Sequence, residues 1–409
     1  MLPALWGEVG GPNWAGQCLQ TAMKLALLFD HFGPYHLARL RGVAGSVDTL
    51  GVQFHGRSRD YAWDVAEHSG VRLTTLAEDG VCLTTAQFRE KLDSALGAFE
   101  PDVVAIPGWS SRGALVALQW CLAHGVPAVL MTESSRHDES RKPWKEWLKR
   151  RLLRHFAAAL AGGSSHADYL EDLGMPRSRV FLGYDVIDND HFRRKEVGQS
   201  EASDGPHFLA SARFIEKKNL FRLLRAYADY RVEAKGRGRE PWRLVLLGDG
   251  ELRPPIEDLV KELQLTESVE LPGFKQYDEL PGYYARSSAF IHASTTEQWG
   301  LVVNEAMASG LPVLVSSRCG CVSDLVKEGI NGFVFDSYDL KSISAAMTRL
   351  SSLPEDAVRQ MGAAGAAIIA EWGPQRFGAG LFQASRLALS LKPLKPSWLD
   401  SALIHLLSR

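Results

Sequence analysis

The chain has 409 residues, 45% of them hydrophobic, and its 46 Lys and Arg residues nearly balance its 48 Asp and Glu residues, for a formal net charge of −2. This length predicts two or three domains, and the charge balance gives no basis for nucleic-acid binding. The cysteines are odd in number and scattered, which favours a reducing, cytoplasmic compartment over a disulfide framework; they are Cys18, Cys82, Cys121, Cys319 and Cys321.

The chain begins with a stretch that has no periodic pattern. Residues 1–22 are rich in Gly and Trp and lack the charged region and apolar core of a secretion signal. No run of about 18 apolar residues follows, so we expect no transmembrane helix. The first strand pattern begins at Met23, and we expect Met23 to be the natural start, with residues 1–22 as an N-terminal extension.

Residues 23–192 alternate between strand and helix patterns. Strand-like runs lie at residues 23–30, 49–54, 72–76, 103–107, 128–132, 157–163 and 180–184, and helical patterns lie at residues 35–44, 85–98, 111–124 and 141–161. This alternation predicts an α/β domain whose parallel sheet is covered by helices on both faces.

Residues 141–156 form a basic amphipathic pattern, with seven Lys or Arg residues and one Glu. The apolar members at helical spacing are Trp144, Trp147, Leu148, Leu152 and Phe156. The stripe fits a core-facing helix with a solvated back, and it also fits a surface that contacts anionic lipid.

Residues 193–206 lose all apolar periodicity and are predicted to be a linker. A second series of strand and helix patterns fills residues 207–385, and residues 386–409 are predicted to be a C-terminal return helix and tail. One helical face of the tail is apolar, and it either docks on the first domain or faces outward; its members are Trp398, Leu399, Ala402, Leu403, Leu406 and Leu407.

Within the second series, two cations flank a strand end. Arg213 and Lys218 are five residues apart, and two positive charges near one point suit a diphosphate.

Residues 290–315 contain a strand, a loop, a helix and a second strand, in which seven residues separate Glu297 from Glu305. Ligands bind in open α/β sheets beside such a loop, at the carboxyl ends of the strands. Ionised carboxylates accept hydrogen bonds from paired hydroxyls, so a sugar and a ribose on either side of a phosphate group would suit both acids. The alternative is that the acids only stabilise the dipole of the helix.

This stretch resembles the acid-x7-acid motif of the retaining glycosyltransferases of family 4, with Glu297, Gly300, Leu301 and Glu305 on the family pattern. The resemblance covers about residues 23–391. It implies the GT-B architecture, in which two Rossmann-like parallel-sheet domains face a central cleft. It also implies that Glu297 holds the donor sugar and that Glu305 holds the ribose of a nucleotide-sugar donor.

By the same resemblance, Arg213 and Lys218 hold the donor diphosphate. The reaction implied is metal-independent and needs no cofactor: a sugar passes with retention to a glycan or lipid-linked acceptor in cell-surface polysaccharide or glycoconjugate synthesis, at the inner face of the membrane if the basic helix contacts lipid. No metal is expected at Cys319 and Cys321, since no matching His or Cys pair accompanies them. Asn219 and Cys321 stand where the family often has glycine.

In the first domain, the resemblance places the loop after the first strand at the cleft, with Gly33, Tyr35 and His36 on the donor side. After the strand at residues 128–132, the residues Glu133, His137 and Asp138 compete for a position near the acceptor. Two other functions remain open, a non-catalytic GT-B protein that binds a nucleotide or acts as a scaffold, and a nucleotide-sugar epimerase of related architecture.

Overall fold

The computed structural model describes residues 23–57, 70–139, 141–193, 205–392 and 394–408. The predicted N-terminal extension, residues 1–22, and most of the predicted linker, residues 193–206, lie outside them. In these ranges, no helix combines the length and the apolar character that a membrane span requires.

The first domain is built on a parallel sheet. Its seven described strands are β1 (Lys24–Phe29), β2 (Asp48–His55), β3 (Leu73–Ala77), β4 (Val103–Pro107), β5 (Ala128–Thr132), β6 (Ala158–Ala161) and β7 (Val180–Leu182), in the order β3-β2-β1-β4-β5-β6-β7. The central strands β1, β4, β5 and β6 are almost continuously apolar because both faces are buried. Leu25 and Leu27 enter one core, and Ala26 and Leu28 enter the core on the opposite face.

Helices cover both faces of this sheet: α1 (Pro34–Ala44), α2 (Thr85–Phe99), α3 (Arg112–His124), α4 (Pro143–Leu153) and α5 (Ser164–Asp172). The short α6 (Asn189–Phe192) follows them and packs against the second domain. Side-chain caps define several starts, as where Ser111 Oγ accepts a hydrogen bond from Ala114 N at 3.1 Å. The prediction of one helix over residues 141–161 was wrong. The helix ends at Leu153 because the chain must enter strand β6 at Ala158.

The second domain repeats the architecture. Its six described strands are β8 (His207–Ser211), β9 (Arg243–Leu247), β10 (Val269–Gly273), β11 (Ala289–His292), β12 (Val313–Ser316) and β13 (Gly332–Phe335), in the parallel order β10-β9-β8-β11-β12-β13. Its helices are α7 (Leu220–Gly236), α8 (Arg253–Glu262), α9 (Leu280–Arg286), α10 (Leu301–Ala308), α11 (Val322–Leu325), α12 (Leu340–Ser351) and α13 (Glu355–Ala370). The carboxyl ends of strands β8 and β9 border the cleft between the domains.

The chain then returns to the first domain through α14 (Pro374–Ser390), which packs against α1. The two helices approach closely where both carry glycine: a Cβ atom at position 378 would lie 2.2 Å from the Gly42 carbonyl oxygen. The last helix, α15 (Trp398–Leu407), packs on α3 and α4.

Only one edge of the predicted apolar face of the tail makes this contact, with Leu399 and Leu403 half-buried. Ile404 enters the core of the first domain, and Asp400 turns inward to accept a hydrogen bond from Arg151 Nε at 2.7 Å. Trp398 and Leu406 instead point outward, with 82% and 65% of their surface exposed. Helix α15 therefore docks through a face that contains Asp400 and Ile404 and only partly overlaps the face that apolar spacing predicts.

Candidate active site in the interdomain cleft

A cavity of about 350 Å³ lies between the domains at the carboxyl ends of the strands of the second sheet. It brings together six of the predicted site residues from the second domain, namely Arg213, Lys218, Glu297, Gly300, Leu301 and Glu305. The first domain contributes Tyr35 and Glu133. Cations, carboxylates and a helix N-terminus thus converge on one space.

Glu297 is an ionised carboxylate inside this cavity. Lys218 Nζ donates a hydrogen bond to its Oε2 atom, Ser294 Oγ donates at 3.2 Å, and His292 Nε2 lies 3.3 Å away. Burial alone raises the pKa of Glu297, but the His292 hydrogen bond and the Lys218 charge outweigh it and hold this pKa well below its usual value. Glu297 is consequently a hydrogen-bond acceptor and not a proton donor at neutral pH.

Two glycines shape the loop around Glu297. Gly300 precedes helix α10 with φ of 103°, a conformation that favours glycine. Gly320 lies against the loop so closely that a Cβ atom there would be 1.8 Å from Gln298 O. Close backbone approach is therefore made by Gly320, and Cys321, where the family often has glycine, is buried beside it.

Glu305 lies in helix α10 and is 1% exposed. Tyr284 OH donates a hydrogen bond to its Oε2 atom at 2.6 Å, and Tyr35 OH, from the first domain, donates to Oε1. Burial raises the pKa of Glu305 to about 7, although both tyrosine hydrogen bonds lower it. The carboxyl group is thus poised to titrate near neutral pH, and its partners are hydroxyl groups.

Lys218 is held in place by the residue that follows it. Asn219 adopts φ of 60°, which asparagine tolerates better than most residues. Its Nδ2 atom donates to Ala293 O at 3.0 Å and to Ser337 O at 2.8 Å. Asparagine at this position thus takes the left-handed conformation of a glycine and also ties the loop to the ends of strands β11 and β13.

The three acceptor-side candidates separate in the structure. Glu133 lines the cleft cavity, and burial, opposed by Arg39, raises its pKa. Asp138 lines a second cavity of about 400 Å³ and accepts hydrogen bonds from Ser135 N and Oγ at 2.7 and 2.6 Å. His137 is exposed and lines neither cavity.

The predicted donor-side residues Gly33 and His36 are not among the residues that line these two cavities. The His36 ring packs against Phe29, with centroids 4.5 Å apart, and burial lowers its pKa well below the usual value. Gly33 precedes helix α1 in an extended conformation that any residue adopts. Tyr35, which lies between them at the start of α1, lines the cleft cavity.

Sequence reasoning did not assign roles to His292, Lys217 or Tyr284. Lys217 Nζ lies 3.7 Å from Glu297 Oε1. His292 had a readable signal, since a polar residue ends an otherwise apolar parallel strand at the ligand-binding edge. Tyr284 had none, because its contact with Glu305 joins two helices whose relative placement only the fold defines.

Comparison with known proteins gives two family matches. Residues 192–367 match the family described as glycosyl transferases group 1, and residues 36–183 match the glycosyl transferase 4-like domain. Together the two matches cover most of the chain. The first includes Arg213, Lys218, Glu297 and Glu305.

Alignments with individual relatives cover less of the chain than the two family matches together. The chain is 26% identical to an alpha-D-kanosaminyltransferase of Streptomyces kanamyceticus over 56% of this chain and 63% of that protein. It is 33% identical to a sulfoquinovosyl transferase of Arabidopsis thaliana over 41% of this chain and 31% of that protein. The alignments thus span less than two thirds of these relatives.

Among solved structures, the Anabaena HepE protein in complex with UDP and glucose superposes with a TM-score of 0.70 and 16% identity. The superposition covers 90% of this chain and 100% of that one. At this identity the likeness concerns the fold, and it confirms the predicted architecture of two Rossmann-like domains.

Proposed function

This chain belongs to the group 1 glycosyl transferases of GT-B fold, and we propose that it is a retaining, metal-independent transferase. It would move a hexose-type sugar from a nucleoside-diphosphate sugar to a glycan or lipid-linked acceptor in cell-surface polysaccharide or glycoconjugate synthesis. The observation that carries this proposal is the convergence of Arg213, Lys218, Glu297 and Glu305 on one cavity of about 350 Å³.

In this proposal the donor diphosphate lies beside Arg213 and Lys218. When the bond between the sugar and the diphosphate breaks, the electron pair stays on the departing phosphate oxygen, and two fixed cations stabilise the charge that develops there. Lys218 is already oriented by its ion pair with Glu297. These cations would do the electrostatic work that a metal ion does in other transferases.

The two carboxylates would recognise hydroxyl groups. Glu297 remains ionised and can accept hydrogen bonds from the donor sugar beside its anomeric carbon. Glu305 already accepts hydrogen bonds from two phenolic hydroxyls, which supports its proposed role with the two hydroxyls of the donor ribose. The ribose would replace Tyr35, the partner that comes from the opposite domain.

The acceptor would enter through the second cavity, which Trp109, Ser134 and Asp138 line. Lys217 and Gln298 line both cavities, so an acceptor hydroxyl could approach the donor sugar past these residues. The raised pKa of Glu133 supports a role for its carboxyl group in taking the acceptor hydroxyl proton.

We also propose peripheral contact with an anionic membrane, at the cytoplasmic face. Trp144 and Trp147 of α4 are 61% and 47% exposed, and Trp398 at the start of α15 is 82% exposed. Arg151 joins the two helices, since its guanidinium lies 5.3 Å from the Trp147 ring and hydrogen-bonds Asp400. Exposed tryptophans beside cations suit a membrane interface.

The decisive experiment measures nucleoside diphosphate released from a panel of UDP-, GDP- and ADP-sugars, with a matched Arg213→Ala variant. Release that depends on an added acceptor and on Arg213 supports transfer. Nucleotide binding by thermal shift without any release would favour the non-catalytic alternative, and an altered but unreleased sugar would favour an epimerase.

A further inference from the structure

A third cavity, of about 420 Å³, opens on the opposite side of the first domain from the cleft. Strand β5 connects the two sides: Ala128, its first residue, lines this cavity, whereas Glu133, directly after its end, lines the cleft. Five residues at about 3.3 Å each separate the two spaces by roughly 16 Å. We name the third cavity the distal pocket; it is distinct from the donor and acceptor spaces.

The rim of the distal pocket is positively charged. Four cations line it, Arg150, Arg154, Arg179 and Lys392, and no Asp or Glu is among its described lining residues. None of these four side chains makes a hydrogen bond or an ion pair within the described part of the chain. Like charges gathered without counter-ions repel each other, and a bound anion would relieve this repulsion.

Four of the other five cations of residues 141–154 form ion pairs, and within the described part of the chain only Lys142 does not. Arg141 with Glu146 (3.3 Å), Lys145 with Glu139 (2.8 Å), Lys149 with Glu139 (3.3 Å) and Arg151 with Asp400 (2.7 Å) all form ion pairs. Asp400, a neighbouring carboxylate, is also 3.5 Å from His155. Most cations in and beside helix α4 are therefore neutralised by the protein, whereas Arg150 and Arg154, which line the pocket, are left for something outside the chain.

The interior of the distal pocket is apolar. Its walls include Leu122, Val126, Phe156, Met175, Leu391 and Leu394. The segment that follows α14 thus supplies part of the wall, and Leu394 at the opening is 50% exposed. An inorganic anion would satisfy the rim and leave the interior empty, whereas an acyl chain would fill it.

We propose that the distal pocket binds an anionic amphiphile, with a phosphate-type headgroup among Arg150, Arg154, Arg179 and Lys392 and its acyl chain against the apolar interior. The ligand is a lipid of the membrane surface and not the sugar acceptor, because the acceptor must reach the opposite edge of the sheet. Trp147, one turn before Arg150 on helix α4, would lie at the same membrane surface.

The test uses the full chain and three soluble probes, a short-chain phosphatidic acid below its micelle-forming concentration, glycerol phosphate, and a short-chain phosphatidylcholine. Calorimetric titration and thermal shift report binding to the folded protein. We expect saturable binding of the phosphatidic acid, and binding of each other probe at least about tenfold weaker.

The variant Arg150→Gln/Arg154→Gln should weaken phosphatidic acid binding about tenfold or more, since each cation near an anionic headgroup contributes measurably. The matched control Lys142→Gln/Lys145→Gln removes the same charge from the N-terminal end of α4, outside the pocket, and should change binding less than about twofold. Leu394→Asp, at an exposed position, should weaken binding without affecting the core.

Three results would overturn the proposal. Equal weakening by the two double variants would show diffuse attraction to the helix surface. Glycerol phosphate binding as tightly as phosphatidic acid would show a simple anion site, and no binding of phosphatidic acid to the folded wild type would show no site. Each readout is independent of sugar transfer, so the outcome is separate from that of the nucleoside diphosphate assay.

Discussion

Glu305 should make the stability of this protein depend on pH in a way that one substitution removes. Its pKa is raised from 4.5 to about 7 by burial, and each pKa unit corresponds to about 1.4 kcal/mol. A carboxyl group with a higher pKa in the folded state binds more protons when folded, so the free energy of unfolding falls as pH rises from about 4.5 to about 7.

Between about pH 5 and pH 8 the free energy of unfolding of the wild type should fall by roughly 2–3 kcal/mol through this group. Glu305→Gln should not show this fall. The assay is urea unfolding of wild type and variant at several pH values, with Glu251→Gln, an exposed position, as control. We expect the variant to gain stability relative to wild type as pH rises. A difference between the two proteins that does not change with pH would refute this electrostatic description of Glu305.

The other predictions concern the reaction. Arg213→Ala and Lys218→Ala should each lower turnover on the order of 10²-fold, and wild-type rates in a folded variant would contradict their roles. Glu297→Gln should lower turnover more than donor affinity, which steady-state kinetics separates. Tyr35→Phe should tighten donor binding a few-fold, by about 0.5–1.5 kcal/mol, because Glu305 loses a competing hydroxyl; weaker binding by calorimetry would show that Tyr35 contacts the donor. The product should keep the donor's anomeric configuration, and an inverted linkage by NMR would exclude the retaining mechanism.

The sequence predicted those parts of the cleft whose residues are close along the chain. Glu297 and Glu305 belong to one loop and helix, and Arg213 and Lys218 to another, so strand ends and helix starts were enough to place them. Contacts between the two domains could not be predicted from the sequence. The Tyr35 hydroxyl donates a hydrogen bond to Glu305, although 270 residues separate the two along the chain. No local sequence pattern predicts such a contact.

Two residues or faces that the structure places differently from the sequence expectation have physical causes of the same kind. His36 follows a turn, as a ligand-binding residue would, but the adjacent Phe29 offers its ring an apolar contact. In the tail, apolar spacing favoured the face with Trp398, whereas Ile404 and Asp400, which pairs with Arg151, lie on the docked side. Periodicity describes a helix alone, and contacts with its neighbours decide which face is buried.

The return of α14 to the first domain means that the second domain is an insertion within the first. The chain leaves near Asn189 and comes back near Ile369, and these two connections touch, with Asn189 Nδ2 donating to Ile369 O at 2.8 Å. Two connections fixed side by side form a double hinge, which permits rotation of one domain against the other but resists their separation. Opening of the cleft to release nucleoside diphosphate should therefore be a swing about this point.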